Sequence, residues 1–317
     1  MTLPAAKTIS PSPLFVLPSR RDEAWRYSDI ASLRAAQDLP AVTRPSLGRT
    51  LEDGARIEAR LEAGDGAAHA HEDVRLQPGG RATLVHRLEG AGWLNAVIDI
   101  ALPAAQLTHI IIQERAPDAV ATARLKLHLD AEADYRLFVF QAGAQFGRIE
   151  VDAVLAGRQA RMEMAAVQLA TARQTLETVT RLRHAAPETI SRQSVRNVLA
   201  GHAVGNYLGA VRVDKAAQKT DAGQSARTLL LARTATANTK PELEIYADDV
   251  KCAHGATVGA LDERALFYLT ARGIAPEQAR ALLTEAFIAD LLAAIEDEQA
   301  REAIAAAARR WLEEALA

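Results

Sequence analysis

The chain of 317 residues has a formal net charge of −3 and a single cysteine, Cys252. One cysteine excludes an internal disulfide and any metal site built from several cysteines of this chain. The near balance of charges disfavours nucleic acid as the main partner, because proteins that bind it carry a strong basic patch. No segment approaches the roughly 18 apolar residues of a membrane span. Residues 1–20 lack the apolar stretch of a signal peptide, so we expect a cytoplasmic protein that does not bind membranes.

The N-terminal part predicts a loose leader followed by a short helical cap. Proline and serine are frequent in residues 1–20, which disfavours regular structure there. Helical spacing over residues 20–37 places Trp25, Ile30 and Leu33 on one face. Prolines shortly after this segment end the predicted helix.

Short strands are predicted between residues 56 and 261, where apolar and polar residues alternate. The alternation is clearest in segments 123–129, 148–155, 161–169, 175–184, 205–213, 226–232 and 241–250. Sandwiches, propellers and parallel β-helices all suit such a stretch. Aromatic residues make up 4% of the chain and 67 residues are Ala. This composition favours the thin aliphatic rungs of a parallel β-helix over the aromatic layers of the other two.

A helical pattern begins after residue 261. Asp262 can cap a first helix that ends before Gly273, Pro276 can open a second, and a third is expected from about residue 297. Residues 262–317 contain 11 acidic and 6 basic residues, so this part carries a charge of −5. Its apolar stripe can cover the last rung of the solenoid, bind a partner protein, or do both on different faces.

These patterns predict a mainly β protein with a small N-terminal helical segment and a helical C-terminus. The predicted parts are a leader and helical cap over 1–55, a β-helix core over 56–261 and a C-terminal helical domain over 262–317.

Motifs of the common enzyme classes are absent from the sequence. It contains no GxxxxGK[ST], GxSxG, HExxH or CxxC motif, so the chain is not expected to bind nucleotide phosphates as a P-loop ATPase does. Gly201, Gly205 and Gly209 are interpreted as turn and close-packing positions rather than a phosphate loop. Asp248 and Asp249 are adjacent on an extended chain and therefore face opposite sides. They do not supply the converging carboxylates that a β-helix carbohydrate enzyme needs.

The most informative short stretch is DDVKCAHG, in which Cys252 and His254 stand two residues apart. In an extended strand both side chains lie on one face, where a thiolate and an imidazole suit iron, zinc or copper. Two ligands are half of a site, so another chain would have to complete it. The alternative is a half-buried cysteine and a hydrogen-bonded histidine. His69 and His71 are assigned to a loop and receive no role.

A longer stretch around these residues resembles the C-terminal signature of the SufB/SufD family of the SUF iron-sulfur cluster assembly machinery. The resemblance is carried by KPELEIYADDVKCAHGATVGALDERALFYLTARGI at 240–274, VRVDKAAQKTDAGQSARTLLLA at 211–232, RHAAPETISRQSVRNVLAG at 183–201 and DEAWRY at 22–27. The ADDVKCAHGAT wording and the single cysteine resemble the SufD branch more than SufB, which is usually longer and carries further cysteines.

The resemblance implies a right-handed parallel β-helix that acts as a non-catalytic scaffold subunit. Such a subunit would pair with a SufB-like homologue and bind a SufC-like ABC ATPase through its C-terminal helical region. His254 would face the homologue and help to hold iron or a nascent cluster with a partner cysteine, with Cys252 as a weaker candidate. The chain alone would bind no cofactor stably, since the iron or iron-sulfur cluster would be transient and shared. The candidates for contact with the ATPase are Phe267, Tyr268, Phe287 and Leu291.

Three alternatives stay open at this point. The chain could be a β-helix carbohydrate-active enzyme, a SufB-like subunit, or a structural homodimer when isolated. Deleting the residues after Gly273 is expected to abolish binding of the ATPase and to leave a soluble β-core.

Overall fold

The computed structural model describes residues 17–44 and 46–316, so most of the predicted leader lies outside the described residues. The helical elements are a 3₁₀ turn at Glu23–Trp25, α1 (Ile30–Gln37), α2 (Glu263–Ala271), α3 (Pro276–Ala293) and α4 (Glu298–Leu316). The strands are β1 (Ala41–Thr43), β2 (Leu47–Leu51), β3 (Arg56–Ala63), β4 (Ala67–Leu76), β5 (Arg81–Gly90), β6 (Trp93–Leu102), β7 (Gln106–Arg115), β8 (Val120–Leu129), β9 (Asp134–Gly143), β10 (Phe146–Leu155), β11 (Arg161–Ala170), β12 (Thr175–His184), β13 (Ile190–Leu199), β14 (Val204–Val213), β15 (Asp221–Leu230), β16 (Thr236–Ile245) and β17 (Lys251–Ala260).

The strands form two parallel sheets that enclose one core. Sheet I consists of β1, β2 and the even strands from β4 to β16, and sheet II consists of the odd strands from β3 to β17. Successive strands from β3 onward alternate between the sheets, so the chain coils into a parallel β-solenoid of about eight turns. The predicted mainly β fold with a parallel β-helix is confirmed.

Side chains at alternate positions of each strand point into the solenoid, where those of successive turns stack in columns. One column of sheet II contains Leu107, Tyr135 and Met162, which are paired in register on β7, β9 and β11. All three are buried, within an interior that is mainly Ala, Leu, Ile and Val. Small aliphatic residues fill these thin rungs because each rung packs only on its two neighbours.

The N-terminal segment differs from the predicted continuous helix over 20–37. The 3₁₀ turn and α1 are separate, and Asp29 caps α1 by accepting a hydrogen bond from the Ser32 backbone N–H at 3.1 Å. The break falls at Ser28, whose buried hydroxyl donates to the carboxylate of Glu177 in β12 at 2.8 Å. This contact with sheet I holds Ser28 in a non-helical conformation between the 3₁₀ turn and α1.

The C-terminal helices begin and end at the predicted signals. Asp262 and Asp297 accept backbone hydrogen bonds from the first turns of α2 and α4, at 2.8 Å each. Gly273 follows α2 with a φ of 88°, a conformation that favours glycine, and Pro276 is the first residue of α3.

The apolar faces of α3 and α4 pack across the outer face of sheet II rather than over the last rung. α3 contacts β11 and β13, and α4 contacts β7 and β9. The cluster between the helices and the sheet includes the buried side chains of Phe138, Phe140, Ile288, Ile304 and Trp311. Deleting the residues after Gly273 would expose this apolar face of sheet II, so the expectation that such a deletion leaves a soluble β-core does not suit this arrangement.

Candidate functional site

The solenoid ends in an uncovered turn formed by β16 and β17, which we call the terminal rung. Over the described residues β16 pairs only with β14 and β17 only with β15, so each strand has one free edge. Nine of the ten residues of β17 are exposed, including Val258, and the apolar side chains of Ile245 and Tyr246 are exposed beside them. A long edge strand with apolar side chains is suited to pairing with another chain.

Cys252 and His254 lie on the interior-facing side of β17. Their register partners on β15 are Ala222 and Gln224, which are both buried in the solenoid. The prediction that this stretch is extended, with both side chains on one face, is confirmed. Cys252 is partly buried against the core, whereas His254 is exposed. The imidazole of His254 is therefore the group that a partner covering the terminal rung would meet.

The environment of Cys252 makes its thiol a poor ligand in the isolated chain. Burial raises the pKa of the Cys252 thiol, a backbone hydrogen bond from Ala222 opposes this, and the carboxylate of Asp221 raises the pKa further. Metals bind the thiolate, so a raised pKa weakens binding at neutral pH. Packing in the rung explains Cys252 without a ligand role, and His254 is the stronger candidate.

The three glycines that the sequence pattern assigned to turns and close packing have those positions. Gly201 lies in a turn with a φ of 60°. A Cβ atom on Gly205 would lie 2.8 Å from the side chain of Leu199, and one on Gly209 would lie 2.3 Å from Oη of Tyr207. The glycines of β14 therefore make room for large side chains inside the solenoid.

Two of the four residues predicted to contact an ATPase form an exposed pair on α2. Phe267 and Tyr268 are 74% and 58% exposed, and we call this pair the α2 patch. Phe287 is half-buried, and Leu291 is buried in the cluster between α3 and sheet II. Leu291 is not available to a partner in this arrangement, because its side chain packs on the solenoid.

The DEAWRY segment covers a buried polar cluster on the outer face of sheet I. The guanidinium of Arg148 lies 3.7 Å from the ring centroid of Trp25, and its Nη1 lies 2.6 Å from the carboxylate of Glu177. Ser28 and Asn206 also donate hydrogen bonds to Glu177. Burial raises the pKa of Glu177 despite these partners. Trp25 therefore anchors the N-terminal segment on sheet I.

A second buried polar chain lies inside the solenoid and was not predicted. His86 Nδ1 lies 2.7 Å from His109 Nε2, His86 Nε2 lies 3.1 Å from Glu72, and His109 Nδ1 lies 2.7 Å from Oη of Tyr135. Burial lowers the pKa of His109 well below its ordinary value, and His86 contributes. With neutral imidazoles, each group from Tyr135 to Glu72 can donate to the next, so every buried group is satisfied. The four residues stand on four strands, and no local motif marks them.

A groove of about 630 Å³ runs along the outer face of sheet I, where a carbohydrate enzyme would need free carboxylates. Asp99 lies 3.5 Å from Nζ of Lys126, and Asp152 lies 2.5 Å from the guanidinium of Arg124. Both carboxylates are already paired with cations, so neither is free to act as one of a converging acid-base pair. The groove therefore does not favour the carbohydrate-enzyme alternative.

His69 and His71 lie on β4, so their assignment to a loop is wrong. Most of the residues beside them on β4 are Ala, whose weak apolar character made the alternation of a strand hard to recognise in the sequence. Ligand atoms of His71, Asp73 and Asp99 lie within 4.8 Å of one another. The ammonium of Lys126 beside Asp99 competes with any cation there, so we assign no site to this group.

Over the part of the chain that the structure describes, each helix is too short or too polar to cross a membrane.

The sequence matches the family described as SUF system FeS cluster assembly, SufBD core domain, over residues 59–287. Protein ABCI7, chloroplastic, of Arabidopsis thaliana is 34% identical over 240 residues, which cover 72% of this chain and 50% of the relative. Iron-sulfur cluster assembly protein SufD of Escherichia coli (strain K12) is 30% identical over 244 residues, covering 75% and 58%. A SufBD family protein of Mycobacterium leprae is 28% identical over 291 residues, covering 88% and 74%. The chain spans about half the length of the first two relatives.

Proposed function

Because the chain belongs to the SufBD family of SUF-system iron-sulfur cluster assembly proteins, we propose that it is a non-catalytic, SufD-type subunit of a cytoplasmic assembly complex. It pairs there with a SufB-like homologue and binds a SufC-like ABC ATPase. The iron or nascent cluster is the cargo of this complex and is held only transiently, between the two homologous chains.

The observation that carries the proposal is the uncovered terminal rung. A soluble solenoid normally covers its last turn with a polar or helical cap. Here α3 and α4 lie on the outer face of sheet II, and the interior-facing residues of β17 other than Cys252, including Val258, are left exposed. A homologous solenoid has strands of the same spacing, so its own last turn can continue both sheets across the junction.

His254 lies where such a partner would meet the chain. One exposed imidazole on an edge strand supplies one ligand, and iron or a cluster needs further ligands from the opposite chain. The partner's cysteines are the ligands that an iron-sulfur cluster favours. The partner's ligands would thereby complete the half of a metal site that Cys252 and His254 form, and His254 would be the main ligand from this chain.

The α2 patch supports a separate docking surface for the ATPase. Phe267 and Tyr268 are large apolar side chains exposed next to the terminal rung in sequence, and neither is buried by the other helices. Exposed aromatic pairs of this kind anchor protein interfaces. The ATPase subunit would hydrolyse ATP, and this chain would not.

Co-expression with the SufB-like and SufC-like proteins of the same host tests the proposal. Val258→Lys places a charge on the exposed interior of the terminal rung, whereas Val42→Lys makes the same change at an exposed residue of β1. We expect Val258→Lys to abolish co-purification of the homologue and Val42→Lys to retain it. Equal recovery of the homologue with both variants would contradict docking at the terminal rung, and a stable homodimer of the isolated chain would favour the homodimer alternative.

A further inference from the structure

The four residues that precede His254 in its interior column of sheet II change from apolar to polar toward the terminal rung. In register, the column contains residues of β9, β11, β13, β15 and β17, which are Leu137, Met164, Gln193, Gln224 and His254. Leu137 and Met164 are apolar, so an apolar side chain fits this column. Leu137 pairs in turn with His109, a polar residue of the same column whose two ring nitrogens are both hydrogen-bonded. The two glutamines are not fully paired in this way, so they need another explanation.

Gln224 is buried without a hydrogen-bond partner. It is 4% exposed, and neither Nε2 nor Oε1 has a hydrogen-bond partner among the described residues. A buried, unpartnered amide destabilises the fold relative to an apolar side chain of the same shape. Gln193, one turn deeper, also has an unpartnered Nε2, but its Oε1 accepts a hydrogen bond from Oη of Tyr207 at 3.4 Å.

Gly209 on the opposite sheet leaves room for the Gln224 amide as well as for Tyr207. A Cβ atom on Gly209 of β14 would lie 2.3 Å from Oη of Tyr207 and 3.1 Å from Nε2 of Gln224. Gln224 and His254 are register partners on adjacent parallel strands, which lie about 4.8 Å apart, so a change of side-chain rotamer can bring the amide and the imidazole together. In the isolated chain His254 is exposed and can turn toward solvent.

We infer that Gln224 is a positioning residue for His254: once a partner covers the terminal rung, its amide hydrogen-bonds one imidazole nitrogen and directs the other toward the shared iron or cluster. This inference rests on the proposed function. A hydrogen bond from a neighbouring group to the second nitrogen of a ligand histidine fixes the ring orientation and tautomer. The unpaired Gln224 amide destabilises the free chain, because its hydrogen bond to His254 forms only in the complex.

The inference is tested on the complex of this chain with its SufB-like homologue, with ferrous iron as the probe. Gln224→Met removes both amide atoms and copies Met164, which occupies the same column. Gln193→Met is the matched control one turn away. We expect Gln224→Met to keep the homologue and to weaken ferrous iron binding by about 10-fold or more, the usual effect of removing such a support. Gln193→Met should stay within about twofold of the wild type, a difference too small to indicate a lost support.

Two further variants separate the possible failures. Gln224→Glu keeps an oxygen acceptor beneath His254 and should restore iron binding, which a merely structural role would not predict. If His254→Ala leaves iron binding unchanged while the homologue is retained, the proposed role of His254 fails. If His254→Ala abolishes iron binding but Gln224→Met binds iron as the wild type does, only the positioning role of Gln224 is overturned.

Discussion

Asp297 joins the last helix of the chain to the first turn of the solenoid through Arg56. Its Oδ2 lies 2.5 Å from Nε of Arg56, a residue 241 positions earlier in the sequence. The other oxygen, Oδ1, caps α4 by accepting a hydrogen bond from the backbone of Ala300 at 2.8 Å. The C-terminal helices are thereby held on sheet II both by the apolar cluster, which lies over β7 to β13, and by this ion pair with β3.

Replacing Asp297 should separate its two contributions. Asp297→Ala removes the cap and the ion pair, so we expect a loss of about 1–2 kcal/mol in the free energy of unfolding. Asp297→Asn keeps a capping side chain and should lose less than half of that. Arg56 lowers the pKa of Asp297 from 3.8, so its stabilisation is present above that pH and is lost as the pH falls below it. Urea denaturation of both variants measures this; equal losses would contradict the capping role.

Removing only one partner of the ion pair between Arg148 and Glu177 should strongly reduce the free energy of unfolding. Both side chains are buried on the outer face of sheet I, beneath Trp25. Arg148→Met leaves Glu177 buried without its cation, and we expect a loss of about 3–5 kcal/mol in the free energy of unfolding. Adding Glu177→Gln removes the unpaired buried charge and keeps a side-chain oxygen that can accept a hydrogen bond from Ser28 or Asn206. The double variant should therefore recover about 1–3 kcal/mol of the free energy of unfolding. Additive losses in chemical denaturation would disprove this coupling.

Stability should fall in mild acid because of His184. Burial lowers the pKa of His184 to about 4, from an ordinary value of 6.5. Since protonation then favours the unfolded chain, the contribution of neutral His184 is complete above pH 6.5 and is lost progressively as the pH falls toward 4. The shift corresponds to about 3 kcal/mol.

A pair of histidine variants isolates this effect. Between pH 6.5 and 4, His184→Gln should reduce the slope of unfolding free energy against pH, because its amide does not titrate and can still bond Thr189 and Ser191. His128→Gln changes an exposed histidine and should keep the wild-type slope. Identical slopes for the wild type and His184→Gln would remove His184 as the cause.

The sequence pattern located β10, β11, β12 and β14 closely, extended the strand over 241–250 past the end of β16 at Ile245, and did not predict β13. In ISRQSVRNVL the interior positions include Ser191, Gln193 and Asn197, which are buried although polar, so the alternation on which strand prediction depends is lost. The first strands were located only as a region, since Ala occupies both faces there. Composition nevertheless identified the solenoid, because a shortage of aromatic residues is a property of the whole chain.

The candidate site was predictable only where its residues are adjacent in sequence. Cys252 and His254 stand two residues apart, and a strand places them on one face whatever the rest of the fold does. Gln224 comes next to His254 only through the pairing of β15 with β17, which no local pattern reveals. Left-handed corners at Glu132 and Glu188 were also hidden, because these residues are neither glycine nor asparagine.

Separate surfaces for the two proposed partners predict separable losses. Phe267→Ala with Tyr268→Ala should abolish co-purification of the SufC-like ATPase and retain the SufB-like homologue, since these exposed residues support no core packing. Tyr246→Ala with Val258→Lys should do the reverse, because both residues are exposed at or beside the terminal rung. Affinity purification followed by mass spectrometry measures both partners in one experiment. Loss of both partners in each double variant would indicate a single shared interface.

The role of His254 is tested most directly by the iron and acid-labile sulfide content of the complex purified from its host. His254→Ala removes the exposed imidazole of the terminal rung, and His202→Ala removes an exposed histidine from a turn as the matched control. We predict that the His254→Ala complex keeps its subunits and loses most of its iron and sulfide, whereas the His202→Ala complex matches the wild type. Wild-type iron and sulfide in the intact His254→Ala complex would contradict a ligand role for this residue.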